Sequence, residues 1–173
     1  MTDMQKKLNS GEAQILQWVQ QLGTEETTQR YAARQSLVDS GEAAVPALIN
    51  ALGEPSDLLR WEAAKLLNEI QHTSAIPALI ETLADKNSGI RWVAGDALIQ
   101  LGESAVTPLL QAILIDTSRL RDGAYHVLHH HATRNDQFRE TLSPVVEALK
   151  SLDASVAVPI VAEKALLKIS GLG

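Results

Sequence analysis

Cysteine is absent from the 173 residues, which rules out a disulfide framework and a thiolate zinc site and is compatible with a reducing compartment, the cytoplasm by default. Aromatic residues are scarce, at three Trp, two Tyr and one Phe, while Ala and Leu dominate the apolar set, a composition suited to close helix-on-helix packing and not to a β-sandwich. Long apolar runs are missing as well. No stretch approaches the eighteen or more apolar residues of a membrane span, and the amino-terminal MTDMQKKLNSGEAQ lacks the apolar core of a signal peptide, so no membrane is expected. Basic residues are outnumbered, fifteen against twenty-one acidic ones for a formal charge of −6, which argues against a surface that neutralises many phosphates and so against nucleic acid as the partner. A nucleophile elbow, a Walker loop and a dinucleotide fingerprint are all lacking, which points away from catalysis and from a bound cofactor.

What is present is a repeat. VPALINAL from Val45, IPALIETL from Ile76 and VTPLLQAI from Val106 share apolar positions at intervals of about thirty-one residues, the third with its proline one place later. LSPVVEAL from Leu142 follows after a longer interval, and ILQWVQQL from Ile15 fits with Leu16 in the proline position. Between these copies runs a second segment: RYAARQSL from Arg30, RWEAAKLL from Arg60, RWVAGDAL from Arg91 and RDGAYHVL from Arg121. Alanine stands three residues after each arginine (Ala33, Ala63, Ala94, Ala124) and leucine seven after (Leu37, Leu67, Leu98, Leu128), which places both on one helical face, the predicted core. A degenerate fifth copy, PIVAEKALLKI from Pro159, keeps Ala162 and Leu166 but has no arginine, as a terminal cap would.

The punctuation agrees. Pro46, Pro77 and Pro144 are expected in first turns, Gly23, Gly41, Gly53 and Gly102 at helix ends, and Ser56 and Ser88 as N-caps. Small residues at Ala63, Ala64, Ala94 and Gly95 would let neighbouring helices approach closely. The reading is all-α: a single domain over 1–173 of about five two-helix repeats, ten helices, with repeats near 10–40, 41–71, 72–102, 103–133 and 134–173. The stretch HHHATRNDQFRETLS lengthens the fourth connection by about five residues and is expected to rotate the last pair or to add a loop.

A proline-containing helix followed by an Arg-x-x-Ala helix resembles the HEAT-like repeats first described in phycobilisome (bilin) lyases. The resemblance implies a right-handed α-α superhelix, a HEAT-like or armadillo-like solenoid, whose arginine helices line a concave groove. It is weak for function, since such repeats serve scaffolds, lyase subunits, glycosylases and metal hydroxylases alike.

The groove candidates follow from the helical wheel. The residue after each arginine, Tyr31, Trp61, Trp92 and then Asp122, lies about 160° from the centre of the core face and should be exposed. Large rings repeated on successive helices supply the broad, rotamer-poor apolar area of a binding hot spot, though they would equally pack on one another or on arginine stems. Glu62, Lys65, Val93, Asp96 and His126 are the expected neighbours. The arginines themselves are read mainly as structural, pairing with carboxylates or last-turn carbonyls, with Glu54, Asp57, Asp85 and Asp116 as candidate partners. His126 and His130 lie one turn apart in the group His126, His129, His130, His131, but spacing specifies no third metal ligand, and solvated histidines are the simpler reading.

The leading expectation is therefore a non-catalytic, monomeric scaffold that holds a protein or peptide in the groove, with no cofactor and no metal. Two alternatives stay open: a bilin-lyase-type subunit acting on a phycobiliprotein, and a HEAT-like DNA-binding or DNA glycosylase protein.

Overall fold

A computed structural model describes residues 3–171, with side chains from Ser10 onward, so the amino-terminal stretch read for a signal peptide lies partly outside the described residues. Among the described residues there are ten α-helices, three short 3-10 turns and no strand. They alternate as expected, an apolar helix followed by an arginine helix four times and, in the last pair, by the arginine-free copy.

Two compact units divide the chain, Met1–Ala75 and Ile76–Gly173. The first holds α1 (Asp3–Leu22), α2 (Thr27–Ser40), α3 (Val45–Ala51) and α4 (Asp57–Ile70), with 3-10 turns at Gly41–Ala44 and Thr73–Ala75. Within it α1 packs against α2, α3 and α4, and α2 packs against α4. The second holds α5 (Ile76–Thr82), α6 (Ser88–Gln100), a 3-10 turn at Gly102–Ala105, α7 (Val106–Ile115), α8 (Thr117–Arg134), α9 (Asp136–Lys150) and α10 (Ala154–Ile169). Here the successive arginine-register helices lie side by side, α6 on α8 and α8 on α10.

The alanine and leucine register is the core in both units. Ala33, Ala63, Ala94 and Ala124 are buried, and so are Leu37, Leu67, Leu98 and Leu128, each leucine contributing roughly 1.5–3 kcal/mol. In the degenerate fifth copy Ala162 is buried but Leu166 is only partly so, and Ala165 takes the interior place. Pro46 and Pro77 occupy the second position of α3 and α5, where the missing N–H has no helical partner to lose. Gly41 and Gly102 follow α2 and α6 with φ of 53° and 67°, the left-handed region that a side chain would strain. The Ser56 hydroxyl caps α4 by accepting from the Leu59 N–H at 3.3 Å.

Three local expectations change. The cap of α6 is Asn87, whose side-chain oxygen accepts from the Gly89 N–H at 2.9 Å, so Ser88 is the first residue of the helix. The lengthened fourth connection is not a loop: α8 continues to Arg134, and a single residue, Asn135, both ends it and caps α9 by accepting from the Gln137 N–H at 2.9 Å. The added residues thus become helix at the end of α8 and the start of α9. As a result Pro144 sits inside α9 and not in its first turn; both it and Glu140, whose carbonyl loses its helical partner there, are exposed to water. Pro159 is likewise internal, because α10 begins upstream at Ala154.

Candidate functional site

The arginine ladder is built into the turns. Arg30 donates from Nη1 to the Thr24 carbonyl at 2.7 Å, Arg60 to those of Glu54 and Pro55 at 3.0 Å each, and Arg91 to those of Asp85 and Lys86 at 2.8 and 3.3 Å. Each guanidinium folds back over the turn that precedes its own helix and ties the carbonyls of that turn. Arg60, almost fully buried, also binds Asp57 at 2.9 Å. Arg121 differs, reaching forward to the carbonyls of Leu149 and Ser151 at 2.6 and 2.9 Å. Glu54 and Asp85 therefore take part through their backbones, and Asp116 pairs with Arg119 at 3.0 Å instead.

The residues after these arginines diverge in environment. Tyr31 is 64% exposed and Trp92 is 58% exposed, Asp122 is exposed, and Trp61 is half-buried with the Lys65 ammonium 4.5 Å above its ring. In the second unit, α6 and α8 bring Trp92 and His126 together, ring centroids 4.3 Å apart at 34°. His126 Nε2 also meets Asp96 Oδ1 at 3.4 Å. Gly95 makes room for this imidazole, since a Cβ there would stand 2.9 Å from His126 Cδ2. Ser88, Arg91, Trp92, Asp122, Gly123 and His126 line a pocket of about 250 Å³. The Trp92 ring is thus braced on one side and leaves more than half of its surface open to water.

Residues 45–129 match the family described as HEAT repeats, a span running from α3 into α8. Over that span the chain is built of HEAT-like repeats. HEAT repeats are generally protein-interaction scaffolds. No curated protein matches the chain.

Within these HEAT-like repeats, Glu62 departs from its expected place in an open groove. It is 3% exposed, because two arginines of α2 close on it: Arg34 Nη1 at 2.8 Å and Arg30 Nε at 3.4 Å. It joins α4 to α2. Lys65, Val93 and Asp96 are half-buried and engaged with their own units, Lys65 on Trp61 and Asp96 on His126. The histidines go separate ways. His129 stacks on Tyr125 at 5.3 Å, His130 meets His131 edge-on at 5.7 Å, and His131 is buried against Phe138 at 6.5 Å. Among the described residues no three His, Asp or Glu side chains gather in a group that would hold a metal ion.

Several contributors escaped the sequence reading. Arg34, four residues after Arg30, is the closer partner of Glu62. Gly123, two after Arg121, lies where a Cβ would stand 2.7 Å from Leu83 Cβ. The two positions that hold Arg34 and Glu62 in α2 and α4 hold Gly95 and Gly123 in α6 and α8. One register thus serves as an ion pair in the first unit and as a close glycine approach in the second. Repeat alignment column by column is the signal that would have exposed it.

Proposed function

We propose that this HEAT-like repeat protein is a non-catalytic interaction module that holds a protein or peptide segment against its arginine helices, with Trp92 as the principal anchor. The observation that carries the reading is the Trp92 indole, braced by His126 yet 58% exposed at the mouth of a pocket. A ring already fixed by its neighbours loses little freedom on binding, which is what makes aromatic anchors effective. Tyr31 and Trp61 occupy the equivalent register in the first unit, and Trp61, capped by Lys65, has less free surface to contribute. Asp122 and His126 complete the contact set around Trp92.

The test is affinity capture from cell extract with the wild-type chain and with Trp92→Ala, followed by titration of whatever protein the wild type retains. Loss of Trp92 should weaken that binding by about 2 kcal/mol or more with helicity intact. Equal affinity of the two chains would reject the anchor. The reading has the protein acting as a monomer in the cytoplasm, which sedimentation and cell fractionation check. Salt-sensitive DNA binding or chromophore transfer to a phycobiliprotein by the purified chain would favour the alternatives instead.

A further inference from the structure

Resting on the reading of Trp92 as the anchor, we propose that the pocket between α6 and α8 receives a basic side chain, lysine or arginine, from the bound segment. Its volume of about 250 Å³ falls below the range of roughly 300–1,000 Å³ typical of small-molecule sites and suits a single inserted side chain. Two features of the lining select the sign of charge. The first is the indole of Trp92, whose face carries the negative part of the aromatic quadrupole and attracts an ammonium or guanidinium. The second is Asp122, an exposed carboxylate with no ion pair or hydrogen bond among the described residues.

The two basic groups of the lining are already engaged. Arg91 directs its Nη1 at the carbonyls of Asp85 and Lys86, and His126 is set between Trp92 and Asp96. Gly123 adds no side chain to the pocket, so the aliphatic stem of a long residue meets no obstruction from that position. An acidic side chain in the same place would meet the Asp122 carboxylate and the negative face of the indole, opposed only by Arg91, whose charge persists while its Nη1 binds neutral carbonyls. The formal charge of −6 acts in the same direction at longer range, drawing basic segments toward the chain.

The indole N–H signals of the full chain, with that of Trp92 assigned through Trp92→Phe, provide the readout. Short Gly/Ser peptides that differ only in a central Arg, Lys, Leu or Glu are titrated against it. The Arg and Lys peptides should move the Trp92 signal, and Asp122→Asn should weaken them about two- to fivefold while circular dichroism stays unchanged. Asp122→Lys should abolish the effect. If the Leu peptide moves Trp92 as strongly as the Arg peptide and Asp122→Asn changes nothing, the basic-side-chain proposal fails while the Trp92 anchor stands. Preference for the Glu peptide, or no response to any of the four, overturns the pocket assignment; the capture experiment with Trp92→Ala then judges the anchor separately.

Discussion

The His126 imidazole lies 4.3 Å, centroid to centroid, from the Trp92 indole, in a space that Gly95 leaves open by having no side chain. The exposed Trp92 ring and the packing of α6 on α8 are thus coupled through one glycine. The same pair of helices has a second glycine, Gly123, set against Leu83, which is almost fully buried.

The two glycines should respond differently to alanine. At Gly95 the clash is with the edge of an imidazole that has room to turn, and the gain in helix propensity of about 1 kcal/mol offsets it. Gly95→Ala should therefore leave the denaturation midpoint nearly unchanged while shifting the Trp92 indole signal. At Gly123 the new methyl would meet Leu83 Cβ at 2.7 Å and Cδ2 at 2.9 Å, in a core with no slack. Gly123→Ala should lose about 1–2 kcal/mol in urea denaturation, overpacking exceeding the propensity gain.

Glu62 is the buried half of a two-arginine clamp. Removing it takes the nearest counter-charge from Arg30 and Arg34, but Arg34 keeps Glu69 at 3.8 Å and both retain some water, so the cost should be about 2 kcal/mol and below that of a wholly buried pair. Glu62→Ala measured by urea denaturation gives that number. Arg34→Ala combined with Glu62→Ala should cost less than the sum of the two single changes, because they remove one shared interaction.

Arg60 tests whether the ladder acts by charge or by shape. Lysine keeps the charge but cannot reach the carbonyls of Glu54 and Pro55 and the Asp57 carboxylate from one planar group. Arg60→Lys should lower stability by about 1–2 kcal/mol, and a midpoint equal to wild type would reduce the arginine to a generic cation.

His131 links stability to pH. Burial holds its ring below the ordinary histidine value of 6.5, with His130 acting in the same direction and Glu103 against both, and its buried Nε2 has no hydrogen-bond partner. The unfolded chain takes up this proton at higher pH than the folded one, so between the two values the unfolded state carries more protons. Stability should rise with pH through the window below about 6.5 and fall on acidification. His131→Leu should flatten this slope in urea denaturations across mildly acid pH, with no loss at neutral pH. An unchanged slope would assign the acid sensitivity to other groups.

The repeat was legible because one period governs everything in it: the core alanine and leucine columns, the proline starts of α3 and α5 and the glycine ends all follow from local backbone rules. Of the two outcomes expected for the lengthened fourth connection, the added loop fails, because length alone does not distinguish loop from helix and a single residue, Asn135, performs both end-capping jobs. Glu62 was misplaced for a different reason. Its burial depends on Arg34, twenty-eight residues away, and no other repeat carries an arginine at that position. The wheel gives a side chain's direction but not what a neighbouring helix brings to meet it. Trp61 and Trp92, indistinguishable by register, differ because Lys65 stands over one ring and His126 braces the other.

The reach of the arginines sets which pieces of this chain are interchangeable. Where the guanidinium closes on the turn just before it, as at Arg60 and Arg91, that contact fastens a helical hairpin to itself and travels with it as a cassette, whereas Arg30 also reaches Glu62 of the next hairpin. Arg121 breaks that modularity: by fastening the end of α9, it makes the last two hairpins a single heritable block, and a graft cut between them would arrive unlatched.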